Sequence, residues 1–366
     1  MELFTLTRGF LEQDVIDQFS SAIWTERYYG DSEVELIVPS TSDMIQKLPV
    51  GTFLGLVGSK EIMLLDSVDI ESGALKVTGG SLLSFLNNRF IRDTPQHENR
   101  YWNFSGAPGW ALWAIIYYMC ISGAYPAGIP NPASFVIPGL GLGGYDTSGA
   151  AVSFAVPYGP VYDAMRDIAT TYQIGMKITL ESASATGYSL SFWSYKGLDR
   201  TSGQSVNPIV RFSPQMDTLT DIKELRSIKD YATIAYSFAP GNPDGLATTP
   251  GTSQVAGVSY SGFDLRALMT FEEDITTDQT GGDANVLLNI LNSRAQLALT
   301  DHRFAKAIDG QIVPLHQFQY GVDYTLGDII EVQGNSDIIQ SSRVTEYIRA
   351  QDDAGERAYP TVAMLD

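Results

Sequence analysis

The residues that could support catalysis or ligand binding in this chain are few, and the histidines come first. A metal site is often indicated by two histidines one helical turn apart, as in H-E-x-x-H, because that spacing puts both rings on one face. His97, His302 and His316 show no such spacing. His302 follows a predicted helix, where a cation complements the helix dipole. We therefore predict no metal site and a structural role for His302.

The single cysteine and one glycine-rich run are the next candidates. Cys120 lies in an apolar run at 117–121, which predicts a buried, inert thiol, because a nucleophilic cysteine needs an electropositive and partly exposed setting. Residues 139–144 fit the spacing G-x-G-x-x-G of a dinucleotide-binding turn. Pro138 precedes them and no amphipathic helix follows, so we interpret the run as a flexible loop. No serine lies in a G-x-S-x-G elbow.

Three acidic residues resemble a calcium loop in composition alone. Asp274, Asp278 and Asp283 lie around Gly281 and Gly282, but their spacing does not fit an EF-hand. A solvated turn before a helix explains them, because negative charge is favoured at a helix N-terminus. The sequence thus predicts no catalytic, cofactor-binding or metal-binding residue, and no cofactor.

Composition restricts the class of protein further. The chain has 366 residues, of which 44% are hydrophobic, enough to form several cores. Acidic residues number 42 and basic residues 23, giving a net charge of −19, which argues against sequence-specific or backbone binding of nucleic acid. One cysteine excludes an intrachain disulfide. No signal peptide is apparent, and the most apolar window, 110–121, is shorter than the roughly 20 residues of a membrane span.

Residues 1–95 are predicted to form a small β-barrel or sandwich. Short strands are expected at 34–38, 51–57, 62–68 and 74–79, separated by Gly, Pro, Asp and Ser, and a helix over 81–90 would close the module. Residues 96–155 form an insertion rich in aromatic residues, glycine and proline. It has one helix over 109–121 and a loop over 126–149.

Residues 156–282 are predicted to form a central α+β domain. A helix over 160–173 begins at Pro160 and is left at Gly175, and strands over 176–180 and 188–193 form a hairpin. The remaining expectations are strands at 209–212 and 232–238, a stretch at 221–230 that fits helix or strand, and a loop over 240–257.

Residues 283–366 are predicted to form a helix and a second β-barrel. The helix covers 283–299 with Asp283 as its N-cap, and strands follow at 311–313, 328–332 and 343–349.

The two ends of the chain repeat one another in layout. Gly51 and Gly327 each precede a strand and lie 276 positions apart, and the turn glycines Gly73 and Gly355 lie 282 apart. The fold class predicted is α+β, mainly β, with two small β-barrels flanking a central α/β domain.

Stretches near both ends carry a resemblance to a known family. The first reads IWTERYYG at 23–30 and VELIVP at 34–39; the second reads YGVDYTLGDII at 320–330 and RVTEYI at 343–348. They resemble the tail-tip baseplate hub proteins of siphophages, particularly of phages that infect Gram-positive actinobacteria. They cover well under half of the chain.

The resemblance implies a structural protein of the virion tail tip, assembled in the host cytoplasm, and not an enzyme. Two barrels in each of three chains would form a pseudo-six-fold ring that closes the tail tube. Its partners would be copies of itself, the distal tail or tail tube protein, the tip fibre or spike, and the tape measure protein. The acidic composition would suit a channel through which DNA slides, since it repels phosphate.

Two alternatives remain open at this point. A tail-associated cell-wall or polysaccharide hydrolase would use paired carboxylates in a cleft. A receptor-binding module would use the Trp and Tyr side chains of 96–155 to stack on sugars, although those rings could equally pack against a neighbouring subunit.

Overall fold

The computed structural model describes residues 1–71, 73–92, 101–122, 135–182, 188–239, 249–272, 275, 284–312, 317–334 and 339–365. Strands outnumber helices throughout these ranges, and the predicted class, mainly β with a minority of helix, is confirmed. Within the same ranges no helix has the length and apolar character needed to cross a membrane.

The N-terminal module is built from short strands whose residues alternate between the core and the surface. In one of them Val34, Leu36 and Val38 are buried while their neighbours point outward, the pattern of a strand with one buried face. Its elements are β1 (Leu3–Leu6), β2 (Glu12–Ile16), β3 (Ser21–Arg27), β4 (Glu33–Pro39), α1 (Ser42–Lys47), β5 (Phe53–Leu56), β6 (Ile62–Glu71) and β7 (Ala74–Ser81).

A helical segment of the chain follows. The helix predicted over 109–121 is confirmed as α2 (Pro108–Ile116) and a π-helical turn, Tyr117–Ile121, that continues it. The helix predicted over 81–90 is only a short 3-10 helix, Ser84–Asn88. The regular elements are β8 (Phe90–Ile91), β9 (Tyr101–Gly106), α2 (Pro108–Ile116), β10 (Leu140–Leu142), β11 (Val152–Pro157), β12 (Gly159–Pro160), α3 (Val161–Tyr172), β13 (Gly175–Ser182) and β14 (Tyr188–Tyr195).

The remaining elements are mostly strands around one long helix. The helix predicted over 283–299 is confirmed as α4 (Ala284–Asp301), while its expected N-cap, Asp283, lies outside the described residues. The elements are β15 (Arg211–Phe212), β16 (Leu219–Ser227), β17 (Ile234–Phe238), β18 (Gly251–Gln254), β19 (Ala267–Phe271), α4 (Ala284–Asp301), β20 (Ala305–Ile312), β21 (Ile329–Gln333), β22 (Ile339–Asp352) and β23 (Gly355–Met364).

One sheet connects the two ends of the chain. Its strands follow the order β16-β20-β23-β22-β3-β4-β7-β6-β5-β1-β2, and β21 and β15 extend from β22 as a branch. We call β15, β16 and β20–β23 the C-terminal module. Among the described residues this path is open, so the two predicted barrels are observed as two halves of one sheet, joined where β3 pairs with β22.

Three large hydrophobic cores underlie this sheet. The N-terminal core surrounds the buried Trp24, and the C-terminal core surrounds Phe212 and Tyr324. The largest core lies between α2, α3 and the β13–β14 hairpin and extends to the N-terminal module through residues such as Phe53 and Ile62. The aromatic-rich segment therefore contributes to a core that it shares with its neighbours.

The helix α3 ends differently from the prediction. It begins after Pro160 as expected, but Gln173, with φ of 55°, and not Gly175, supplies the left-handed residue at its end. Gly175 instead begins β13, where an added Cβ would lie 2.1 Å from the ring of Tyr28. The glycine is explained by close packing against that ring.

The structure resolves one ambiguous segment, 221–230, and corrects the predicted loop over 240–257. The ambiguous stretch 221–230 belongs mostly to the strand β16. The loop predicted over 240–257 is wrong for 251–254, because Gly251–Gln254 forms β18, while 240–248 lie outside the described residues. Gly251 lets this strand approach the backbone of α4, since an added Cβ would lie 2.1 Å from the carbonyl carbon of Leu291.

Candidate functional site

A glycine in the left-handed region fixes how β5 of the N-terminal module meets β6. Gly51 has φ of 86°, a conformation that side chains other than glycine disfavour. Its N–H donates to the carbonyl of Leu65 at 2.7 Å, and the N–H of Leu65 donates to the carbonyl of Thr52 at 2.9 Å. These bonds align the start of β5 with the middle of β6.

The C-terminal module contains the same arrangement. Gly327 has φ of 89°, and its N–H donates to the carbonyl of Val344 at 2.8 Å. The N–H of Val344 in turn donates to the carbonyl of Asp328 at 3.0 Å. The two glycines, their hydrogen-bond partners and the residues that follow them therefore correspond one to one.

A bulge marks the same point in both modules. Between Leu65 and Ser67 the pairing of β6 with β7 skips one residue, and between Val344 and Glu346 the pairing of β22 with β23 does so too. Leu65 and Val344 lie 279 positions apart, midway between the offsets of 276 and 282 seen for the two glycine pairs. Bulges interrupt the hydrogen bonding of a sheet at defined places, so bulges at matching positions are strong evidence that the two modules have the same architecture.

The order of strands repeats as well. In space, the N-terminal module runs β3-β4-β7-β6-β5-β1 and the C-terminal module runs β16-β20-β23-β22-β21-β15. When the six strands of each module are counted along the chain, the two spatial orders are the same. All these pairs are antiparallel except β21–β15, which is parallel. In the C-terminal module, β17–β19 and α4 lie between β16 and β20 along the chain. The corresponding strands of the N-terminal module, β3 and β4, are joined by only a short turn.

The junction between the modules contains a buried charge cluster. Glu26 on β3 accepts hydrogen bonds from Arg349 on β22 at 3.3 Å, from the hydroxyl of Tyr320 at 3.3 Å and from Ser59 at 2.7 Å. Glu26 is buried and the side chain of Arg349 is only 13% exposed, so each needs the other to offset the cost of leaving water. The cluster therefore ties the two modules together across the β3–β22 pair.

A second buried carboxyl lies beside this cluster. Glu61 accepts a hydrogen bond from the hydroxyl of Ser32 at 2.7 Å, and burial, with the nearby charge of Glu26, raises the pKa of Glu61 to about 8. A protonated carboxyl suits such a site because burial disfavours its charged form. Both residues are buried, so these two carboxyls lie in the interior of the protein.

The histidines and acids singled out in the sequence do not form a site in the described part of the chain. His302 caps the end of α4, with its Nδ1 3.0 Å from the carbonyl oxygen of Ala298. His97, His316, Asp274, Asp278 and Asp283 lie outside the described residues. Over the ranges that the structure describes, no cluster of His, Cys, Asp and Glu could hold a metal ion.

Cys120 and the glycine-rich run at 139–144 are both explained by packing in the fold. Cys120 is fully buried in the largest core, and burial raises the pKa of its thiol to about 12. The prediction of a flexible loop at 139–144 is wrong, because Leu140–Leu142 forms β10, parallel to β14. Gly143 allows this, since an added Cβ would lie 2.4 Å from the ring of Trp193.

The aromatic side chains of the segment 96–155 divide between the core and the surface. Trp102 is buried against the ring of Phe104. Trp113 stacks on Tyr117 with ring centroids 6.0 Å apart, and the ring of Tyr145 lies 5.6 Å from that of Trp113, tilted by 57°. Tyr117 and Tyr145 are exposed, so this group offers a ladder of aromatic faces at the surface.

A groove of about 700 Å³ opens between α3, α4 and the β9–β11 pair. Its walls are apolar, and its polar residues include Asp163 and Asp167, one turn apart on α3. Burial raises the pKa of Asp167. Arg166 lies 3.4 Å from Asp163 and 3.9 Å from Asp167, so its guanidinium offsets one of the two negative charges.

One protein family matches nearly the whole chain. The model of the Siphovirus ReqiPepy6 Gp37-like protein family matches residues 3–362. The chain belongs to this family. Membership confirms the predicted resemblance to siphophage tail proteins.

Solved structures of phage tail proteins share the fold of this Gp37-like protein. The 43 kDa tail protein of prophage MuSo2 from Shewanella oneidensis has a TM-score of 0.59 at 11% identity, with 99% of this chain and 98% of that chain covered. Prophage tail protein gp18 from Listeria monocytogenes EGD-e has a TM-score of 0.56 at 8% identity, covering 100% and 95%. The tail protein from Neisseria meningitidis MC58 has a TM-score of 0.55 at 12% identity, covering 100% and 96%. No curated protein matches the chain.

Two features of the Gp37-like protein were missed by sequence reasoning. Glu26 and Glu61 come close to each other, with Ser59 bonded to both, because the sheet brings β3 together with the turn before β6. The groove is formed by elements more than 100 positions apart, such as Phe154 and Ile290, so no local pattern could indicate it. The Ser-Lys-Glu at 59–61, charged residues beside the apolar strand β6, was the one available signal of a buried acid.

Proposed function

We propose that this Gp37-like protein is the baseplate hub of a siphophage tail tip. Three copies form a pseudo-six-fold ring that closes the tail tube, joins it to the tip fibre or spike, and lines the channel through which DNA leaves. The ring is made in the host cytoplasm and ends in the virion.

The observation that carries this proposal is the duplicated module. Two halves of the chain share strand order, a left-handed glycine and a bulge at matching positions. Three chains that each present two such modules offer six similar surfaces, which suits a six-fold tube on one side and a three-fold spike on the other. A chain with one module would need six copies to do the same.

The proposed position of the ring, between the tail tube and the tip fibre or spike, determines its proposed partners. On the tube side the proposed partner is the distal tail or tail tube protein, and on the other side it is the tip fibre or spike, with the tape measure protein ending in the channel. The net charge of −19 supports an acidic lumen that repels phosphate and binds no specific DNA sequence.

We also propose that the protein has no enzymatic role. Structural explanations account for the buried residues Glu26 and Glu61, and for the two acids of α3 that form ion pairs with Arg166. Purified protein incubated with host cell walls should release no soluble fragments. Release above that of a boiled sample would contradict this part of the proposal.

The decisive experiment is a single-particle reconstruction of the tail tip of a virion that carries this protein. We expect three copies, with six modules at one level around the channel and Asp and Glu side chains facing inward. Six copies at the tip, or inward rings of Lys and Arg, would overturn the hub assignment.

A second candidate, receptor binding, is favoured by the exposed ladder of Trp113, Tyr117 and Tyr145. Stacked aromatic faces suit sugar rings. Virions with Tyr117→Ser and Tyr145→Ser would then assemble normally and lose adsorption to host cells. Normal adsorption would exclude this role for the ladder.

A further inference from the structure

The junction between the modules is formed by one half of a long strand. β22 has 14 residues, and β23 pairs along one of its edges. On the other edge, residues 339–343 pair with β21 and residues 346–352 pair with β3. The C-terminal module thus offers half of a strand edge, and the N-terminal module fills it with its outermost strand, β3.

The counterpart of β22 in the N-terminal module, β6, is divided in the same way, but half of its edge is unfilled. Residues 62–64 pair with β5, and β7 pairs along the opposite edge. Beyond the bulge that follows Leu65, no described strand pairs with the free edge of residues 67–71. We call residues 67–71 the open half of β6. They correspond to the part of β22 that binds β3.

The counterpart of β3, the strand β16, also has an unpaired edge. Each of these two strands is the second of its module along the chain and the outermost in space. β3 pairs with β4 on one side and with β22 on the other. β16 pairs with β20 and with no other strand in the part of the chain that the structure describes. The chain therefore contains one complete junction and both halves of a second one.

We infer that β16 of one copy of this chain pairs with the open half of β6 of the next copy. The inference rests on the proposed ring, and it repeats between chains the junction observed within each chain. Three chains then alternate three internal junctions with three external ones around six modules. A head-to-tail contact of this kind closes a ring when the rotation per subunit divides a full turn. The occupant is a second copy because β16 is the counterpart of the strand that fills the matching place within the chain.

The strand pairs of the two modules fix the register of this contact. In the N-terminal module, one row of directly paired residues crosses the sheet through Leu65, Gly79, Val34 and Trp24. The matching row of the C-terminal module crosses the sheet through Val344, Val362, Ile308 and Glu224. Glu224 on β16 therefore takes the place of Trp24 on β3.

The same correspondence applies to the other side of the contact. Within the chain, Trp24 lies opposite Arg349. Residues of β6 and β22 correspond at an offset of 279 on both sides of the bulge (344 − 65 and 346 − 67), so Ile70 takes the place of Arg349. Glu224 then lies opposite Ile70 of the next copy, and Lys223 lies opposite Glu71 of the next copy.

The charges of the two strands are complementary in this register. The open half contains Asp69 and Glu71 and no basic residue, and Lys223 on β16 lies opposite Glu71. All three side chains are exposed in the single chain. Opposite charges that face each other across two antiparallel strands stabilise the pairing. The junction within the chain is crossed in the same way by Arg27 and Glu346, which are bonded at 2.8 Å.

The position next to this charge pair also fits the contact. Ile70 is 60% exposed in the single chain, although Val68, two residues before it, packs against the N-terminal core. A strand paired alongside would cover Ile70. Glu224, which lies opposite it, has its own ion pair with Arg226 at 3.9 Å on β16. Ile70 therefore does not face an unpaired charge.

Disulfide trapping tests the contact in assembled tails. Directly opposed residues of antiparallel strands have Cα atoms about 4.5 to 5.5 Å apart, which is within the reach of a disulfide. A variant with both Lys223→Cys and Glu71→Cys should form covalent trimers after mild oxidation of the tails. Free thiols, including Cys120, are blocked before the chains are separated on a denaturing gel without reductant. Unlinked chains in tails that contain the protein would overturn the inference.

The matched control changes only the face of the sheet. Lys223→Cys combined with Ile70→Cys moves one cysteine by one position along β6. Because side chains alternate along a strand, the two cysteines then lie on opposite faces and should give no linked chains. Trimers as abundant as those from the first variant would contradict the proposed register and overturn the inference.

Charge exchange tests the same pair without a covalent bond. Lys223→Glu alone and Glu71→Lys alone each place like charges opposite one another at three contacts per ring. Each should lower incorporation into tails by about tenfold, while the monomer keeps its melting temperature because both side chains are exposed. The variant with both exchanges should regain normal incorporation. Single exchanges without effect, or a double exchange as poor as either single one, would overturn the inference.

The two proposals fail in different ways. A trimeric ring in the tail tip whose β16 and open half of β6 do not meet would overturn the pairing inference and leave the hub assignment intact. A tail tip without a trimer of this chain would overturn the hub assignment itself.

Discussion

Gly51 and Gly327 hold almost the same backbone conformation, with φ of 86° and 89°, at matching points of two modules. Each donates its N–H to the strand that contains its module's bulge. Residues with a Cβ lose about 1 to 2 kcal/mol in this left-handed region. The register of β5 on β6, and of β21 on β22, thus depends on a residue without a side chain.

The first prediction concerns these glycines. Gly327→Ala should lower the free energy of unfolding by more than the strain alone, because its Cβ would lie 2.3 Å from the ring of Tyr28. Gly73→Ala is the matched control, since Gly73 has φ of 89° and no atom within 4 Å of an added Cβ. Urea denaturation should show a loss of about 1 kcal/mol for Gly73→Ala. An equal loss for both variants would contradict the crowding at Gly327.

The second prediction concerns pH. The pKa of Glu61 is raised from 4.5 to about 8 by burial and by Glu26. Between these values the folded chain keeps a proton that the unfolded chain releases, so stability should fall as the pH rises through this window. Glu61→Gln should remove this loss, raising the melting temperature at pH 8 relative to the unaltered protein more than at pH 5. An equal effect at both pH values would show that Glu61 is ionised when folded.

The third prediction concerns the junction of the modules. Removing one partner of the largely buried Glu26–Arg349 pair, by Glu26→Gln or Arg349→Met, should cost about 3 kcal/mol of unfolding free energy, because the other charge is left unpaired with little access to water. The double variant should cost less than the sum. Glu35→Gln, which breaks the exposed pair with Lys76, should cost at most about 0.5 kcal/mol. Strict additivity in the double-mutant cycle would refute the coupling.

The fourth prediction concerns the thiol. Cys120 is fully buried, and the pKa of its thiol is raised to about 12, so a thiol reagent should not label the folded protein at pH 8. Denaturant should expose one reactive thiol per chain. Labelling at the rate of a free thiol without denaturant would show that the core around α2 opens.

Local patterns predicted the elements that local forces determine. The stripe of apolar residues from Val161 to Tyr172 and its leading proline gave the limits of α3 within one residue. The glycine spacing that suggested a repeat reflects backbone conformations that only glycine adopts readily, so it survives where identity does not. Such signals depend on neighbours within a few positions.

Long-range packing explains what local patterns missed. The sequence pattern places Gly175 at a helix exit, but the glycine is required by the ring of Tyr28, which follows β3 more than 140 positions earlier in the chain. Gly143 in the apparent loop at 139–144 makes room for Trp193. The groove and the charge cluster likewise combine residues that come together only in the folded sheet.

The pairing of β3 with β22 can form only after nearly the whole chain has been translated. Arg27 and Glu346, bonded at 2.8 Å across this pair, are separated by 319 positions. At roughly 5 to 20 residues per second, the ribosome needs about 16 to 64 seconds to supply the second after the first. During that interval the N-terminal module has a bare edge at β3, able to pair with another nascent chain. The rate of translation between the two modules thus bears on the yield of correctly folded protein.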